Sequence, residues 1–283
     1  MEKKAKSLKN QNIEQYDNIY SKIDVDKIVA VFQDFDIYFK ELITHHTSWV
    51  SFYYDNFHKF LKNKKVLELG CGDCKNSAIL SHLGAEVYSN DISQISGEII
   101  KSLNEKMNFK KNITFIGGDF LDAKIEMNKF DLVVGKAFVH HLTNEEEEVF
   151  LNKISKVLKP DGRVRFVEPC VNSKVLDEIR WLIPTPGRPS KLQSEKFKVW
   201  KINDPHPERD NSSNSYRNLG KKYFKNCDIN YFGVIERFCR LMPHNNFRHN
   251  FRKNAFILEK YLPDFINMKF ARTQVVDYWH PIK

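Results

Sequence analysis

The stretch from Lys65 to Asp91 constrains this chain more than any other. It reads Val66-Leu67-Glu68-Leu69-Gly70-Cys71-Gly72, then a polar turn through Asp73 and Lys75, an apolar run ending at Gly84, and a second run from Ala85 to Asp91. A short apolar strand, a tight glycine turn, a helix and a second strand ending in an acid make the first half of a dinucleotide-type α/β unit. Gly70 and Gly72 suit the turn because the backbone must bend sharply there and let a ligand approach, where a Cβ would collide. Asp91 lies 21 residues after Gly70, at the end of the neighbouring strand, where a carboxylate can accept both ribose hydroxyl protons.

The same pattern could hold NAD, so its departures are informative. Asn76 and Ser77 occupy the neighbourhood of the third glycine that lets a helix N-terminus close on a pyrophosphate. Glu68, just before the turn, repels a pyrophosphate and suits an amine or a sulfonium. Downstream, Ile113 to Ile116 leads into Gly117-Gly118-Asp119-Phe120, and Phe130 to Val134 leads into Gly135-Lys136-Ala137-Phe138-Val139-His140-His141-Leu142. Leu158-Lys159-Pro160-Asp161-Gly162-Arg163 then forms a turn before the strand Val164 to Val167. In this order the landmarks resemble the class I S-adenosylmethionine-dependent methyltransferases, and beyond Val167 the specific resemblance thins.

The resemblance implies a doubly wound Rossmann-like α/β fold: a seven-stranded sheet, mostly parallel with the last strand antiparallel, an N-terminal helical cap and an insertion after strand five. It implies S-adenosyl-L-methionine as cofactor, with Glu68, Gly70, Cys71, Gly72, Asp91, Ile92, Gly135 and Lys136 around it. Asp119 takes the adenine amino group and Phe120 covers the ring, although Gly-Gly-Asp is also ordinary turn chemistry. His141, immediately before Leu142, matches the position that faces the acceptor, with His140 beside it; a histidine satisfying buried backbone groups is the bland alternative. Helices ahead of the first motif carry substrate-facing tyrosines in such enzymes. Tyr16 and Tyr20, one helical turn apart on one face, are the candidates.

Composition bounds the remaining readings. The chain of 283 residues suits one core with additions, here a helical cap over 1–61 and a Rossmann-like domain over 62–283. No apolar run approaches a membrane span, and the lysine-rich stretch Met1 to Asn10 lacks the following apolar region of a signal peptide, so a cytoplasmic protein is expected. Five irregularly spaced cysteines point to free thiols. Cys71 and Cys74 have a redox-type spacing, but Cys71 lies inside the glycine turn. Adjacent His45 and His46 point to different helix faces and make a poor metal pair. No catalytic metal is expected, since Gly135 and Lys136 stand where magnesium-dependent catechol-type enzymes place an acid.

The net charge of +9 lies wholly in the C-terminal part: residues 1–160 hold 22 Lys and Arg against 23 Asp and Glu, and 161–283 hold 23 against 13. Such asymmetry favours an anionic partner. A helix from Asn172 to before Pro184, a polar insertion over 184–218, strand six over Asp228 to Val234, a helical segment over 240–262 and a last strand from Phe270 to Tyr278 are expected. Arg188 and Arg248 are the leading candidates for holding an anionic acceptor, with Arg217 and Arg252 behind them. Methyl transfer to oxygen or nitrogen of a small molecule is the leading function. RNA methylation by the basic part and a cofactor-binding protein without turnover are the alternatives; oligomeric state is not read from the sequence.

Overall fold

The computed structural model describes residues 13–283, apart from Pro186 and Pro205. Helical turns over 13–20 (α1) are followed by α2 (Val25–Ala30), α3 (Phe35–His45), α4 (Thr47–Phe52) and a 3-10 segment, Tyr54–Phe60. The α/β part runs β1 (Lys65–Leu69), α5 (Lys75–His82), β2 (Glu86–Asp91), α6 (Gln94–Lys106), β3 (Thr114–Gly117), β4 (Phe130–Lys136), α7 (Asn144–Val157) and β5 (Leu158–Pro169). After it come α8 (Lys174–Leu182), α9 (Ser194–Ile202), α10 (Ser213–Gly220), β6 (Phe224–Phe232), α11 (Asn246–Glu259), α12 (Asp264–Phe270) and β7 (Thr273–Pro281).

The sheet has seven strands in the order β3-β2-β1-β4-β5-β7-β6. Pairings from β3 through β5 are parallel, and β7 is antiparallel to both neighbours. Strand order reverses between β1 and β4, so the C-terminal ends of these strands open the crevice in which such sheets bind ligands. Because strand residues alternate faces, Val66, Leu132 and Val134 join a core with the cap residues Phe39, Leu42, Phe52 and Phe57. Leu67, Leu69, Val133 and Val164 face the other way, into a core with Phe150, Leu151, Ile154 and Tyr216.

Local chemistry sets the element ends. Thr143 and Glu146 form a reciprocal capping box at α7, as its spacing predicts. Ser93 stands at the N-cap of α6 but makes no cap bond, because its hydroxyl donates to Asp17 of α1 instead. The expected Pro-Gly turn at 158–163 is a bulge within one strand: Phe130 pairs with Leu158 and Leu132 with Arg163, and the intervening residues loop out. The insertion is more ordered than its polarity suggests, since it holds α9 and α10. Strand six begins at Phe224, four residues before its expected start, and Phe270 closes α12 instead of opening β7.

Arg165 ties the cap to the sheet. Its Nε and Nη2 each donate to a different oxygen of Asp277, its cross-strand neighbour, at 2.7 Å. Its Nη1 donates to the carbonyls of Phe52 (3.2 Å) and Tyr54 (3.0 Å), and the guanidinium lies over the Phe57 ring. Arg165→Met keeps most of the apolar stem but leaves Asp277 and two carbonyls without a donor. Denaturant titration should show a loss of roughly 2–3 kcal/mol, the cost of charged hydrogen bonds; a change within error would mean the cap is held elsewhere.

Candidate active site

The glycine turn and Asp91 form one hydrogen-bonded unit. Gly70 (φ +65) and Gly72 (φ +54) take the left-handed conformation that side chains disfavour. A Cβ on Gly72 would stand 2.9 Å from the Tyr20 hydroxyl, and one on Gly70 would stand 2.5 Å from the Phe138 ring. Asp91 is 7% exposed, and its carboxylate accepts from Gly72 N and Ser93 N, each at 2.9 Å. Burial raises its pKa, while the backbone N–H groups of Ser93, Gly72 and Ile92 pull it back. Each oxygen keeps acceptor capacity for a further donor, which fits a ribose diol. Ile92 is half-buried beside it, and Asp119, at the next strand end, accepts from Leu121 N at 2.9 Å.

Several of the expected residues have partners within the protein. Glu68 is 2% exposed, with Oε1 taken by Asn76 Nδ2 at 2.7 Å and Oε2 by the Ser77 hydroxyl. The two residues in the place of the third glycine hold the acid in front of the turn. Phe120 is buried, with its ring against Phe150 of α7. Lys136 sends its ammonium over the Trp49 ring at 4.5 Å, so it serves the cap. Gly135 is tightly packed: a Cβ there would stand 3.1 Å from the Phe166 ring, which would have to give by a few tenths of an ångström. Cys71 and Cys74 are buried free thiols whose pKa burial raises, which suits packing and disfavours redox exchange. Pro169-Cys170 gives no nucleophile either, since burial pushes that thiol up to about 11.

The outlet of β4 is held from two sides. Glu168, 1% exposed on β5, accepts from Phe138 N (3.0 Å), Val139 N (2.8 Å) and His140 N (3.2 Å), and lies 2.6 Å from His140 Nδ1. From the insertion, Arg209 Nη1 donates to the carbonyls of Val139 (2.7 Å) and Leu142 (3.0 Å), while its Nη2 pairs with buried Glu147. Between them the 3-10 turn Val139–His141 presents His141 to α1. The Tyr16 hydroxyl lies 3.2 Å from His141 Nε2, and the Tyr16 ring packs edge-on against the imidazole and flat against Tyr20. Burial, then the neighbouring His140 and His206, lower the His141 pKa to about 2, so its imidazole is neutral. Burial and the nearby Asp91 charge raise both tyrosines.

The substrate arginines separate from this site. Arg188 donates to the carbonyls of Arg180 and Ile183 at the end of α8, and lies over Trp181. Arg248, on α11, is bonded to His244 in an exposed pair, and Arg252 is paired with buried Glu236. Glu168 and Arg209 hold the outlet backbone, and His206, paired with Asp204, packs its ring on His140 and His141; all four were missed. The only signal was an acid ending a buried apolar strand, which is costly unless hydrogen-bonded.

Residues 66–162 match a family described as a methyltransferase domain. The chain is 33% identical over 139 residues to phosphoethanolamine N-methyltransferase 1 of Triticum aestivum, covering 48% of this chain and 27% of that protein. It is 32% identical over 117 residues to cypemycin N-terminal methyltransferase of a Streptomyces species, covering 41% and 44%. This chain thus spans less than half the length of either relative. In fold it is similar to Haemonchus contortus phosphoethanolamine N-methyltransferase 2, solved with phosphomonomethylethanolamine and S-adenosylhomocysteine, with a TM-score of 0.50, 14% identity, and coverage of 92% of this chain and 61% of that one.

Buried Glu68 makes a pH prediction. Burial pushes its pKa from 4.5 to about 7, against the pull of Ser77 and Asn76. The folded state therefore holds this proton more tightly than the unfolded chain, so the group favours folding at low pH and that contribution is lost as pH rises through about 7. Glu68→Gln should flatten the fall of the denaturation midpoint between about pH 5 and about pH 8. An unchanged slope would assign it to another group, Glu147 being next in line, since burial pushes it also to about 7.

Proposed function

We propose that this chain, whose residues 66–162 match a methyltransferase-domain family, is a class I S-adenosylmethionine-dependent methyltransferase that transfers a methyl group to an oxygen or nitrogen of a small anionic metabolite. The observation that carries the reading is the Tyr16–His141 contact at 3.2 Å under the same helix that lays Tyr20 over the Gly72 turn. When bound, S-adenosylmethionine supplies a methyl group on a sulfonium. Asp91 is suited to hold the ribose hydroxyls, Gly70 and Gly72 to admit the ligand closely, and Ile92 and Asp119 to flank the base.

On the acceptor side, a neutral His141 offers a nitrogen lone pair to an O–H or N–H, and the Tyr16 hydroxyl fixes the ring. Alignment of donor and acceptor contributes on the order of 7–11 kcal/mol, against roughly 3–5 kcal/mol for a general base. Positioning is therefore the larger part of this mechanism, and Tyr16 and His141 act first as walls. An anionic acceptor is supported by the surplus of Lys and Arg over Asp and Glu in residues 161–283, where Arg237 and Arg240 lie on one short helical segment and have their pKa lowered by burial, then by the neighbouring Arg272 charge. A phosphorylated amine, the kind of acceptor named for the wheat relative, combines an anionic group with a nitrogen that could meet His141. RNA methylation is less well supported, because Arg165, Arg188, Arg209, Arg252 and Arg272 are engaged within the protein.

Calorimetry should show binding of S-adenosylhomocysteine and none of NAD, with Asp91→Ala weakening it by roughly 1.5–3 kcal/mol; unchanged affinity removes Asp91 from the site. With phosphoethanolamine as acceptor and product mass as readout, His141→Ala should lower turnover by about 10² to 10⁴ if the imidazole takes a proton. Retained turnover with a raised acceptor KM assigns it to positioning, and no methylated product in the wild-type protein rejects this acceptor.

A further inference from the structure

His140, His141 and His206 bring one ring nitrogen each to within 4.8 Å of one another. Two sequence-adjacent histidines on the β4 outlet are met by a third from the insertion, and the His206 ring packs 5.2 Å from His140 and 4.4 Å from His141. The second nitrogens are already spoken for in the manner of metal ligands. His140 Nδ1 lies 2.6 Å from Glu168 Oε2 and His206 Nδ1 lies 2.6 Å from Asp204 Oδ1, the carboxylate contacts that orient a ligating imidazole and raise its basicity. Each leaves Nε2 free. His141 has the opposite arrangement: Nε2 meets Tyr16, and Nδ1 is buried with no hydrogen-bond partner among the described residues.

We propose that this trio is a three-histidine site for a single divalent transition-metal ion of the zinc class, with an open fourth position. Imidazole nitrogens select Zn²⁺, Co²⁺, Ni²⁺ or Cu²⁺ over Mg²⁺ and Ca²⁺, which want oxygen ligands. Zn–N bonds of about 2.0–2.1 Å set tetrahedral nitrogens roughly 3.3 Å apart, so the imidazoles close by about 1.5 Å or less on binding. The ion joins the insertion to the β4 outlet. With Nδ1 of His141 on the metal, its Nε2 carries the hydrogen and points it at Tyr16. The site shares His141 with the proposed methyl transfer: with Nδ1 on the metal and Nε2 carrying its hydrogen toward Tyr16, His141 keeps no lone pair for an acceptor proton and acts there by positioning alone.

Titration of the full chain with Co²⁺, followed by visible absorbance, should show one bound ion with the bands of a nitrogen-ligated, low-coordination site, displaced by Zn²⁺. His206→Ala, on an exposed residue, should weaken binding at least tenfold, and Asp204→Asn by about 10- to 100-fold. S-adenosylhomocysteine affinity, measured on the same samples, should not change in either variant, which separates this site from the cofactor turn. Absence of Co²⁺ binding to the wild-type protein, or equal binding by His206→Ala, overturns the proposal.

Discussion

The Glu168 carboxylate is the interaction on which the site depends. The chain leaves β4 through Ala137 in the left-handed conformation, φ +57, which costs a non-glycine residue of the order of 1–2 kcal/mol, and enters a 3-10 turn whose first N–H groups have no partner within it. A buried acid needs donors as much as those N–H groups need an acceptor. Three of them and the His140 ring converge on Glu168. Arg209 answers the same need for the carbonyls on the other side and is neutralised by Glu147. The turn is thereby rigid although it is neither helix nor strand, and a rigid turn is what a positioned histidine requires.

The sheet was legible because its signals are local. Each of β1, β2 and β4 is a short apolar run ending in a glycine or an acid, and α7 announces itself by Thr143 and Glu146. Errors fall where tertiary contacts override local chemistry. Ser93 reads as a cap until Asp17 is brought to it. The bulge at 159–162 looks like a turn because its residues are those of a turn; only pairing of Leu158 with Phe130 keeps it in the strand. The helix α8 was legible within Asn172 to Pro184, whereas α9 buries no residue fully to mark it, and Trp181, Phe197 and Trp200 pack on one another.

Asp91, the glycine pair, and Tyr16 with His141 were legible as types of residue at fixed places in a pattern. The carboxylates and arginine that organise them were not, because Glu168 reaches His140 across 28 residues and Arg209 reaches Val139 across 70. Glu68 shows the converse. Its position suggested attraction to a cationic ligand, but a buried acid is satisfied by the nearest donors, and Asn76 and Ser77 are nearer. Arg188 likewise has partners that a charge count does not show, its guanidinium closing a helix end.

The short helix α1 touches three things at once: Tyr20 stands over Gly72, Asp17 accepts from Ser93, and Tyr16 meets His141. A molecule that fills the space beside Gly72 has to lift Tyr20, and lifting Tyr20 loosens its stacked neighbour Tyr16 from the histidine. Admission and readiness are thus one equilibrium with two faces. A ligand beside Gly72 and an acceptor beside His141 would be coupled through one helix of about two turns, whose opening belongs to the timescale of lid motions.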